Sequence, residues 1–153
     1  MDIKTESYIR ELENLQKQIS LIDDVEVKSS LVKLLCVRTS GLLEVFLKTR
    51  ISEYSKGKVP KEINHFLTQK FKDITNLKST KFNDVLASFS SEWSSAYMTF
   101  LNENEQIKSS LDSIIAQRHS IAHGQSCGIA ERSMLQYYGD ILSLVRFLDS
   151  IIR

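Results

Sequence analysis

Apolar residues recur along most of the chain at spacings of three and four, the period of a helix with one face against a core. Over residues 5–22 the stripe is Tyr8, Leu12, Leu15, Ile19 and Ile22. Asp23 and Asp24 then supply a turn and an N-cap, because a short carboxylate can accept from the unpaired N–H groups of a first helical turn. From Val25 to about Tyr54 the pattern predicts one long helix, ended by SKGKVP. Leu31, Leu34, Leu35, Leu42, Val45, Phe46 and Ile51 form its apolar side. A short helix over residues 61–74 carries His65 in its middle, which reads as a half-exposed helix residue. Residues 80–101 predict one or two helices bearing Phe82, Val85, Leu86, Phe89, Trp93, Tyr97 and Phe100, bent where serines cluster near Ser90. Asn104 opens another helix, and residues 129–152 form a last amphipathic one. With one Pro, five Gly and no convincing strand pair, the pattern predicts an all-α bundle of five to seven helices.

A chain of 153 residues is long enough to build one core, so residues 1–153 are expected to form a single domain. The 42% hydrophobic and 25% charged fractions are those of a soluble globular protein. No apolar run approaches the roughly 18 residues of a membrane span. The opening MDIKTESYIRELE reads as a charged helix, without the apolar region of a secretory leader. Neither cysteine belongs to a CxxC pair; a disulfide framework is not expected, and a reducing cytoplasm is the expected location. Cys36 lies in an apolar run and reads as a small core residue, whereas Cys127 sits near a glycine on a connection and its role is open.

Charge adds one feature. Between Lys48 and Lys81 there are nine Lys or Arg against three acids, a local excess of six; the remainder holds eleven against sixteen, so the net +1 hides an asymmetry. Lys56, Lys58, Lys61, Lys70 and Lys72 are candidates for phosphate contacts on RNA, with a solvated lysine-rich face as the alternative.

The densest chemistry is RHSIAHG, residues 118–124, which holds two of the three histidines. At about 100° per residue, Leu111, Ile114 and Ile121 fall within about 40° of Ile107 around the helix, and Arg118 lies in the middle of that stripe. His119 and His123 lie on its shoulder as an i, i+4 pair, and Gly124 suits the residue just past a helix end. A cation centred on an apolar stripe is costly to bury without a partner. It implies either a buried Arg–carboxylate pair or a surface that becomes a cleft, such as one against a second copy of the chain. Two histidines at this spacing could clip zinc, but Ser120 stands where a zincin carries Glu, and no third ligand is spaced for the site. No metal is therefore expected. A cation beside a titratable base suits RNA cleavage: one His removes the ribose 2′-proton and the Arg balances charge on the phosphorane.

Arg118, a polar residue at 119, and His123-Gly124 after four intervening residues, late in an all-α chain, resemble the Arg-x4–6-His motif of the HEPN superfamily. The run LVKLLCVRTSGLLEVFLKTRISEY, residues 31–54, resembles the long second helix of the RiboL-PSP-HEPN branch. The resemblance extends over roughly residues 5–153. It implies a homodimer joined through the motif-bearing helices, with two copies of Arg118 and His123 facing one composite cleft. Many such proteins are metal-independent endoribonucleases of toxin–antitoxin, abortive-infection or other phage-defence systems and need no cofactor. By this resemblance RNA is the substrate, and an antitoxin or neighbouring defence protein is a further partner. Arg118 and His123 would be catalytic, and His119, where relatives commonly carry Asn or Asp, would orient the phosphate or act as a second acid. Glu44 matches a position whose acid could hold the Arg. Arg38 is a weaker candidate for RNA contact, with an ordinary ion pair as the alternative for both. Other HEPN domains are non-catalytic dimerisation, nucleotide-binding or RNA-binding modules, and fold alone does not decide between the two.

Overall fold

Where the chain changes direction, short polar residues take over the backbone groups a helix end leaves unpaired. Asp2 accepts from the Thr5 N–H at 2.8 Å, Asp24 from the Val27 N–H at 2.9 Å, and Ser90 from the Trp93 N–H at 3.2 Å. The computed structural model describes residues 1–125 and 127–153. In it these caps open α1 (Ile3–Ser20), α2 (Val25–Ser55) and α5 (Ser91–Glu103). The other helices are α3 (Lys61–Lys72), α4 (Ser79–Phe89), α6 (Glu105–Ala122) and α7 (Glu131–Ile151). The described residues contain seven helices and no strand, an all-α bundle. The serine cluster separates two helices rather than bending one, because Ser90 serves as cap for α5.

α2 is the axis of the bundle. It packs against α1, α3, α6 and α7, and at 31 residues it is roughly 46 Å long. Val32, Leu35, Cys36, Thr39, Leu42, Leu43, Phe46 and Leu47 are all buried, an arc about half way round the helix. Leu34 is the exception to the apolar side expected from sequence. It lies about 100° from Leu35, outside that arc, and is 45% exposed. At Gly41 the helix admits a neighbour: the Tyr8 hydroxyl donates to the Arg38 carbonyl at 2.9 Å. A Cβ at position 41 would stand 2.8 Å from that oxygen.

Around α2 the core is completed by Leu12 and Ile19 of α1, Leu111 and Ile114 of α6, and Ile141, Leu144 and Leu148 of α7. Each such side chain contributes about 1.5–3 kcal/mol by leaving water. Aromatic residues fasten α4 and α5. Phe82 stacks on Tyr97 at 5.3 Å, and Trp93 lies between Tyr54 of α2 at 4.9 Å and Phe89 at 6.3 Å. One polar contact positions the site. Asp112 of α6 accepts from both the backbone N–H and the hydroxyl of Ser79, each at 2.8 Å, so α6 caps the start of α4 from outside. The connection from α3 to α4 is thereby held against α6. Among the described residues no helix is long and apolar enough to cross a membrane.

Candidate active site

The first three turns of α6 are core: Ile107, Ser110, Leu111, Ile114 and Ile115 are buried. Its last turn emerges. Arg118, Ser120 and Ile121 are half-buried, while His119, Ala122 and His123 are exposed. Gly124 then adopts φ +65°, its N–H donating to the Ile121 carbonyl at 3.2 Å and that of Gln125 to the Ser120 carbonyl at 2.9 Å. This paired closure is the common glycine-dependent helix stop. It fixes His123 as the last residue before the break and leaves its imidazole exposed next to that of His119, with ring centroids 4.3 Å apart.

Arg118 is neither dry nor free. Its side chain is 26% exposed, and its Nη1 lies 3.9 Å from Oε1 of Glu44, itself 13% exposed. The same nitrogen donates to the Asn76 side-chain carbonyl. Asn76 in turn donates its backbone N–H to Glu44 Oε1 at 3.0 Å. The triangle joins α2, the α3–α4 connection and the end of α6. Beside it opens a groove of about 620 Å³, bordered by Asn76, Lys78, Thr80, Asp112, His119 and Ser120.

Arg118, His119, His123 and Glu44 therefore meet at one end of the bundle, and the other candidates do not. Arg38 turns toward α1, where it pairs with Glu11 and lies over the Tyr8 ring at 5.6 Å. Lys56, Lys58, Lys61, Lys70 and Lys72 are exposed, and none borders the groove beside His119. Lys58 covers the Tyr54 ring at 4.0 Å and Lys70 the Phe66 ring at 5.6 Å. Lys72 faces a different groove, of about 340 Å³, together with Lys4 and Lys48. His65 is exposed on α3, and the Cys127 thiol donates to the Gln117 side-chain carbonyl. Among the described residues no three His, Cys, Asp or Glu side chains converge as a metal site would require.

Asn76 is the member of the site that sequence reasoning misses. Its connection, DITNLK, has no periodicity to read. The usable signal is the residue type: Asn is among the few non-glycine residues that readily take the left-handed conformation, and Asn76, in the connection between α3 and α4, has φ +54°.

A paired arginine and an exposed histidine pair thus stand at the end of a late helix, opposite an acid of the long second helix. The profile of the RiboL-PSP-HEPN family matches residues 3–153. The chain belongs to the RiboL-PSP-HEPN family. No curated protein and no solved structure matches it. HEPN domains are commonly ribonucleases or nucleotide-binding proteins, and they commonly dimerise and bind RNA. In this HEPN chain the Arg-x4-His spacing puts the two residues little more than one turn apart, both on the emergent end of α6.

Proposed function

We propose that this HEPN chain is a metal-independent endoribonuclease of the toxin or phage-defence kind, working at a composite cleft between two copies. The observation that carries the reading is the last turn of α6. There Arg118 is held through Nη1 alone, and its Nε and Nη2 donors have no partner among the described residues. An exposed His119–His123 pair stands next to it. A guanidinium has five N–H donors in a planar fork suited to phosphate.

His123 takes the proton from a ribose 2′-hydroxyl. The 2′-oxygen attacks the adjacent phosphorus, and the bond to the 5′-oxygen breaks. That oxygen receives a proton from water or a second histidine, which leaves a 2′,3′-cyclic phosphate and a 5′-hydroxyl. Arg118 offsets the negative charge of the phosphorane, and His119 orients the phosphate or donates the second proton. The nucleophile belongs to the substrate, so the scheme uses no cofactor.

The test is cleavage of a defined RNA in EDTA. Cyclic phosphate ends should form, and RNA methylated at the 2′-oxygen should resist. His123→Ala should lose roughly 10²–10⁴-fold in rate, and Arg118→Ala about 10²–10³-fold; His119→Ala should lose less if it only orients the substrate. Each variant must keep its helical circular dichroism and its mass in solution, since removing one partner of a part-buried pair destabilises a small bundle. Activity that disappears in EDTA and returns with zinc would overturn the scheme.

One observation favours a second reading, a non-catalytic dimerisation, nucleotide-binding or RNA-binding module: Arg118 already has partners in its own chain. On that reading the same substitutions alter RNA binding or assembly, and no preparation cleaves RNA.

A further inference from the structure

We propose that Asn76 is the positioning residue for Arg118, a left-handed asparagine that fixes where the guanidinium points. The role rests on the ribonuclease reading in so far as Arg118 acts on a phosphate. Asn76 makes two contacts at once: its side-chain carbonyl accepts from Arg118 Nη1, and its backbone N–H holds Glu44. A carboxylate alone could pair with an arginine in several rotamers. Adding a neutral acceptor at the same nitrogen removes that freedom and leaves Nε and Nη2 without a partner among the described residues.

The backbone around it is built to hold this one residue. Leu77 is fully buried, the Thr75 carbonyl accepts from Lys81 Nζ at 2.6 Å, and the Asn76 carbonyl accepts from the Lys78 N–H at 2.9 Å. Ser79 is tied to Asp112 of α6, the helix that carries Arg118. Asn76 is also the one non-glycine residue with positive φ among the described residues. Such backbone conformations persist where surrounding structure determines them, and they concentrate at functional sites. Here anchors on either side of Asn76 impose the conformation, and its product is a carbonyl aimed at Arg118.

Asn76→Gly is the discriminating variant, because glycine accepts φ +54° without strain and keeps the N–H that Glu44 uses. In 15N-labelled protein the Arg118 guanidinium, assigned by its loss in Arg118→Lys, should give separate Nη resonances, since one nitrogen is held. In Asn76→Gly these should collapse to the averaged signal of a mobile arginine, with Tm nearly unchanged. Asn76→Asp keeps the acceptor and should restore them. In RNA cleavage Asn76→Gly should lose on the order of 10–100-fold in kcat with KM little altered, the scale of a misplaced reacting group. A guanidinium unchanged in Asn76→Gly, or one that Asn76→Asp fails to restore, overturns the proposal. So does a freed guanidinium with undiminished kcat. If no variant, nor the natural chain, cleaves RNA, the ribonuclease reading fails, and the guanidinium signals still decide whether Asn76 holds Arg118.

Discussion

The two cysteines show how setting alone separates identical side chains. Cys36 is fully enclosed by α2 and α6, its thiol 3.8 Å from the Ile114 carbonyl. Burial, with a smaller contribution from the nearby Cys127, pushes that thiol up to about 12. The thiolate is the reactive form, so Cys36 should stay inert through neutral and mildly alkaline pH, whereas Cys127 is half-buried on the α6–α7 connection. A colorimetric thiol reagent at pH 8 should titrate one equivalent in the folded protein and two in denaturant. Two equivalents released together from the native chain would mean that the core opens at Cys36. Position 41 makes a related point about fit: Gly41 lies mid-helix, against the usual preference, because the Tyr8 hydroxyl needs the space a methyl would fill.

At the level of elements, the basic segment divides in two. Lys58 and Lys70 lie over aromatic rings, whereas Lys56, Lys61 and Lys72 are exposed and make no ion pair among the described residues. Replacing these three with Ala should therefore leave stability nearly unchanged. If they meet phosphates, the salt dependence of single-stranded RNA binding should flatten by about 2 units of slope, at roughly 0.7 per contact. An unaltered slope would make them a solvated face.

The helices themselves were legible because their signals are local: Asp24 as a cap, SKGKVP as a stop, Gly124 as a closure, and Leu or Ile at spacings of three and four. Arg118, His119 and His123 were legible as candidates through the motif and its helix, and Glu44 through the resemblance of the second helix. Leu34 misled because it is adjacent to Leu35 in sequence yet about 100° away around α2, outside the buried arc. Asn76 was out of reach for a different reason. Its partners lie 32 and 42 residues away in sequence, and only the folded arrangement of three segments reveals the contact.

On the scale of the whole molecule, the proposed composite cleft makes assembly part of the chemistry. The emergent end of α6 carries exposed Ala116, His119, Ala122 and His123, a surface available to a second copy. Closed two-fold pairing buries the same patch on both subunits. Sedimentation at micromolar concentration should give twice the 17.5 kDa chain mass. Specific RNA-cleaving activity should fall on dilution below the dissociation constant, with the loss tracking the monomer fraction. A monomer with undiminished cleavage would remove the need for a second copy.

The seat of Trp93 has a practical consequence for spectroscopy. As the chain's single tryptophan, packed between Tyr54 and Phe89, it makes ultraviolet emission a gauge of the seam where α4 and α5 meet the C-terminal part of α2. The two rings that flank Trp93 belong to α2 and α4, not to the last turn of α6. Fraying of residues 119–125 would pass unseen in a fluorescence melt, while amide hydrogen exchange at Gly124 and Gln125, whose N–H groups close the helix, would register it directly.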